Sequence, residues 1–172
     1  MTIRTGVAGR AARGIAGIAM LIGLAQNCWH DRVTEAAQVR QFDIMLMVSA
    51  LRCQAKGVDI VPDYNAFVVQ HRTILTILND QIRAHMNGYM GGRAALDAYD
   101  RFGTVMANQF GNGGAVTDCE KLRMMARNAA TMPSTRESLV ALAQRNGMEP
   151  PLPGQRCAPQ VHIAQAAIPT GE

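Results

Sequence analysis

Residues 62–82, PDYNAFVVQHRTILTILNDQI, decide the fold class. Tyr64, Phe67, Val68, His71, Ile74, Leu75, Leu78 and Ile82 recur at three- and four-residue intervals, so they share one face of a 3.6-residue helix. Pro62-Asp63 opens that helix with Asp63 as a good N-cap, and Asn87-Gly88 marks its end just after Met86. Nothing in the chain alternates at period two for long enough to make a strand.

Working outward, the same period recurs on both sides. Upstream, a helix from Asp31 to Gln54 carries Val39, Phe42, Met45, Leu46, Ser49 and Cys53 on one stripe, and Lys56-Gly57 ends it. Downstream, Gly91-Gly92 breaks the chain before a helix over Arg93–Phe110, lined by Leu96, Tyr99, Gly103, Met106 and Phe110. Gly103 lowers helix propensity there by up to about 1 kcal/mol, which implies a close-packed neighbouring helix in return. Thr117-Asp118-Cys119-Glu120 reads as a capping box before a fourth helix with Cys119, Leu122, Met125, Ala126 and Ala129 inward. Met132-Pro133 stops it. A second box, Ser134-Thr135-Arg136-Glu137, starts a short helix with Leu139, Leu142 and Ala143 inward, ending at Asn146-Gly147. The expected fold is all-α, a four- or five-helix up-down bundle over residues 26–147.

Both ends of the chain differ in character from this middle. Arg4, Arg10 and Arg13, without an acid, precede the uncharged run Ile15–Ala25, and Gln26-Asn27 turns polar at once. Eleven helical residues span about 16 Å, too short for a bilayer core of about 30 Å. The pattern is that of a secretory signal peptide over residues 1–25, cut near Ala25; kept uncut, it would be a membrane anchor. Residues 148–172 hold Pro150, Pro151, Pro153, Pro159 and Pro169, five of the seven prolines, and read as an extended or disordered tail. Removing the signal leaves fourteen basic residues against thirteen acidic ones, so the formal charge of +4 gives no basic footprint for nucleic acid.

Export makes the four cysteines a disulfide framework, since an oxidising compartment pairs an even count. Spacing alone leaves three pairings open. The bundle order favours one of them. Cys53 ends the first long helix and Cys119 begins the fourth, both on buried stripes and at the same end of an up-down bundle, so Cys53 pairs with Cys119. Cys28 and Cys157 follow by elimination.

Few constellations suggest chemistry. Cys28-Trp29-His30-Asp31 resembles the active-site helix of secreted phospholipases A2, which implies His30 as general base and Asp31 as a calcium ligand, although the Gly-rich calcium loop has no counterpart upstream. His85-Met86 with Met90, or Met45 with Met47, would supply soft ligands to a metal carrier; methionines at helical spacing more often fill a core. His71 lies in an apolar stripe, the usual place of a hydrogen-bonded core histidine. Gly111-Asn112-Gly113-Gly114 before Thr117 lacks the Lys-Ser/Thr of a phosphate loop. No Cys-x-x-Cys or His-x-x-x-His occurs, and neither a catalytic residue, a metal site nor a cofactor is assigned.

Residues 42–53 (FDIMLMVSALRC), Pro62-Asp63-Tyr64 and Asp118-Cys119 resemble a group of small exported helical proteins of Gram-negative bacteria without an assigned activity. The resemblance covers roughly residues 28–146. It implies a helical domain in the periplasm or outside the cell. The expected role is structural or interactive, with a protein partner, and with a membrane only if the N-terminal segment is retained.

Overall fold

The computed structural model describes residues 28–111 and 118–158, which hold five helices: α1 (Asp31–Ala55), α2 (Val61–Met90), α3 (Gly92–Gly111), α4 (Cys119–Thr131) and α5 (Arg136–Arg145). The expected signal peptide, the Asn112–Gly114 loop with Thr117, and the tail beyond Ala158 lie outside the described residues. Short connections fold α1, α2 and α3 back and forth into an up-down bundle. α1 packs on all four other helices, and α4 packs chiefly on α2.

The first stripe reads out directly: Val39, Phe42, Met45, Leu46, Ser49 and Cys53 are all buried. On α2, Phe67, His71, Leu75, Leu78 and Ile82 are buried, and Met86 extends that row by one turn. Trp29, Phe42, Phe67, Met106 and Leu139 join them in the main core, while Ala50, Cys53, Ile60 and Leu122 form a smaller one at the α1–α2 turn. There Cys53 bonds Cys119, with their Cα atoms 5.7 Å apart. At the other end Cys28 bonds Cys157, Cα to Cα 4.8 Å.

Helix ends differ from the sequence expectation in four places. α2 passes through Asn87-Gly88 and stops at Gly91 (φ 69°). Asn87 acts from inside the last turn: its carbonyl accepts from Gly91 N, and its side-chain Oδ1 from Gly92 N. A single glycine thus joins α2 to α3, at a φ that side chains disfavour. Asp63 is not the N-cap of α2; that position is Ile60, with Asp59 Oδ1 accepting from Val61 N. Asp63 sits in the first turn and binds Arg127 of α4 at 2.8 Å. Asp118, not Thr117, caps α4, accepting from Glu120 N and Lys121 N. Thr135, not Ser134, caps α5, accepting from Ser138 N.

On α3 the buried face is Ala95, Ala98, Tyr99, Phe102 and Met106, one residue round from the expected stripe, and Leu96 is 58 % exposed. Phe102 is 4 % exposed, and burying its large ring in place of Leu96 accounts for this rotation of the helix. Gly103 accordingly meets no neighbour: a Cβ built there finds nothing within 4 Å.

The tail is extended but not free over its first residues. Met148 and Pro150 are buried, and Leu152 packs on the core. Residues 155–157 lie beside Trp29, which donates from its backbone N to Gln155 O (2.9 Å) and accepts from Cys157 N (3.0 Å). Burial of Met148, Pro150 and Leu152, together with the Trp29 hydrogen bonds and the disulfide, offsets the entropy of ordering this segment.

Two expectations follow. Gly103→Ala should stabilise the protein by about 0.5–1 kcal/mol and raise its melting temperature by a few degrees, because the helix gains propensity and the methyl meets no obstacle. A chain ending at Ala158 should melt with the full chain. One ending at Gly147 should melt at a lower temperature and be less stable by about 2–5 kcal/mol, the cost of losing a native disulfide.

Candidate functional site

The chemistry-bearing side chains gather where the two ends of the described chain meet. Trp29, 1 % exposed, anchors this place: its indole Nε1 donates to Pro153 O at 3.0 Å, and its ring lies 5.5 Å from Phe102 and 4.6 Å from His85. With Trp29 locked inward, the next residue, His30, is turned outward at the N-cap of α1.

His30 Nδ1 lies 3.2 Å from Cys157 Sγ, and its ring stands edge-on to His85, centroids 5.8 Å apart. His85 in turn packs on Tyr89, one turn along α2, at 5.3 Å. His85 Nε2 and Tyr89 Oη are both buried without a hydrogen-bond partner among the described residues. Burial, and then the nearby His30, hold the His85 imidazole below its ordinary pKa of 6.5, and burial pushes the Tyr89 phenol up. One ligand atom from each of Cys28, His30 and Cys157 falls within 4.8 Å of the others.

The sequence candidates distribute as follows. His30 reaches the disulfide, and no hydrogen bond or ion pair joins it to a carboxylate among the described residues. Asp31 occupies the exposed first turn of α1. His71 is fully buried and bonds Ala129 O at 2.8 Å. The carbonyl must accept, so the proton sits on Nε2, and the bond satisfies a carbonyl in the last turn of α4. Met45 and Met86 are core residues, while Met47 and Met90 are exposed.

Sequence reasoning missed three polar centres. Gln41, 4 % exposed, donates from Nε2 to Gln109 Oε1 (2.9 Å) and to Glu149 O (3.1 Å). It lines a cleft of about 230 Å³ with Met45, Met125 and Met148. Asp43 accepts from Arg40 (2.8 Å) and Tyr64 (3.2 Å); desolvation nonetheless holds its carboxyl above the usual range. Arg136 donates to Glu35 (3.1 Å), to Gln81 (2.8 Å) and to Arg32 O, joining α5 to α1 and α2. A glutamine, an aspartate and an arginine amid helical polar residues carry no spacing signal; only the packing selects them.

Comparison with protein-family models, curated proteins and solved structures finds no match to this chain.

His85 makes the site pH-sensitive. Its folded pKa is lowered, so acidification protonates the unfolded chain first; the contribution is present above pH 6.5 and is lost as the pH falls below that value. Trp29, the only tryptophan, reports on it, because an imidazolium 4.6 Å away quenches indole emission. Fluorescence should titrate with a midpoint below 6.5, and His85→Gln should abolish the titration and flatten the loss of stability as the pH falls below that value.

Proposed function

We propose that this is an exported, disulfide-locked helical protein that works by engaging a protein partner through its surface rather than by catalysis. The observation that carries the reading is how its reactive side chains are used. All four cysteines form two disulfides, which suits an oxidising compartment. His71 holds the end of α4, Asp63 holds Arg127, and Asp43 holds Arg40 and Tyr64. These groups serve the fold. No helix among the described residues is long and apolar enough to cross a membrane.

Intact mass of protein recovered from its host tests export. Loss of about 25 residues from the N-terminus and of four hydrogens, in an extracytoplasmic fraction, is the expected result. Full-length, reduced protein in the cytoplasm would refute it. Oxidised protein incubated with phospholipid vesicles and calcium should release no fatty acid; turnover abolished by His30→Ala would replace this reading with a hydrolase.

A further inference from the structure

We infer that the Cys28–Cys157 disulfide covers a zinc site: once a dithiol reductant opens it, both sulfurs and His30 Nδ1 bind one zinc ion. The inference is independent of which partner the protein engages.

Geometry selects this disulfide over the other. A tetrahedral zinc ion with Zn–S of about 2.3 Å and Zn–N of about 2.0 Å holds its ligand atoms roughly 3.5–4 Å apart. One ligand atom each from Cys28, His30 and Cys157 already lies within 4.8 Å of the others, and His30 Nδ1 is 3.2 Å from Cys157 Sγ. The required shifts are of the order of an ångström or two, in segments that lie outside the helices at residues 28 and 157. Cys53–Cys119 has no such neighbour: among the described residues, the only metal-capable group of three or more histidine, cysteine or acidic side chains is the one at Cys28. Cys53 is also 2 % exposed, whereas Cys28 and Cys157 are both half-buried at the rim, beside an exposed histidine. A Cys₂His set with the fourth position left to water suits zinc, a borderline-soft ion that takes thiolate and imidazole together.

The opening step balances. One thiolate of the dithiol attacks Cys28 Sγ, the Cys28–Cys157 bond breaks, and Cys157 leaves as a thiolate with His30 Nδ1 beside it. The second thiol of the reductant then attacks its own sulfur in the mixed disulfide, releasing Cys28 and leaving the reductant as a disulfide. Two electrons enter the protein. Zinc binds both cysteines as thiolates and His30 as neutral imidazole, releasing their protons to solvent. The metal then holds residues 155–157 against Trp29 as the disulfide did, so the contact persists in both redox states.

The test uses the full chain and zinc alone. Protein reduced with a phosphine, desalted without oxygen and mapped by alkylation should bind one zinc per chain roughly a hundredfold or more tighter than oxidised protein. Cobalt in its place should show a thiolate-to-metal charge-transfer band. His30→Ala, which keeps both cysteines and hence the oxidised fold, should weaken zinc binding by about tenfold or more while leaving the melting temperature of the oxidised protein nearly unchanged. Cys28→Ser/Cys157→Ser should gain no zinc on reduction. Equal binding by oxidised and reduced protein, indifference to His30→Ala, or zinc uptake by the reduced double variant would each overturn the inference, the last by moving the metal to Cys53 and Cys119.

Discussion

Everything in this bundle is arranged around the burial of α1. Thirteen of its 25 residues are buried, and all four other helices touch it. A helix enclosed in this way has little room for a polar face, so the polar residues it carries inward depend on partners in the protein; Thr34 Oγ1 and Gln41 Oε1 are left without one among the described residues. Gln41 finds Gln109 on α3 and the Glu149 carbonyl beyond α5; Asp43 finds Arg40 on its own helix and Tyr64 on α2. Apolar packing would tolerate small rotations of α1 against its neighbours. These directional bonds do not, and they set the helix in one orientation relative to α2, α3 and the segment after α5.

The two short helices depend on attachments at both ends. α4 has 13 residues and α5 has 10, lengths at which an isolated helix is marginal in water. α4 is held at its start by the bond from Cys119 to Cys53, and in its last turn by His71 on the Ala129 carbonyl. α5 is held at its start by Arg136 on Glu35 and Gln81, and just past its end by buried Met148 and by Gln41 on the Glu149 carbonyl. Each short element is pinned to the long helices rather than to the other. The tail follows the same rule, pinned at Trp29.

Helix existence and most buried faces were legible because they rest on period alone. Phe42, Met45, Leu46, Phe67, Leu75, Leu78 and Leu122 all fall where their spacing puts them. The up-down alternation was legible too, and it brings Cys53 and Cys119 to one end of the bundle; the neighbour relations were not, since α4 packs chiefly on α2 rather than on α1. Boundaries were less so. Asn87-Gly88 has the composition of a stop, yet Asn87 receives the capping bonds from inside the helix. On α3 the expected stripe runs through Leu96 and Gly103 and leaves out Phe102, whose larger ring takes the buried place while Leu96 faces out. The cluster at the chain ends was legible only in part. The sequence placed His30 beside Trp29, but His85 and Tyr89 arrive from the far end of α2, and no local pattern signals a contact across that distance.

The cysteine connectivity is nested: the bond from Cys28 to Cys157 encloses the one from Cys53 to Cys119. A chain delivered N-terminus first presents Cys28 and Cys53 together long before Cys157 exists. Oxidation in order of emergence would therefore join the wrong neighbours. The native pairing needs either a catalyst that reshuffles early errors or a bundle that assembles before its thiols are oxidised. Vectorial synthesis and cross-linking thus run in opposite directions along this molecule: the first cysteine to appear pairs with the last.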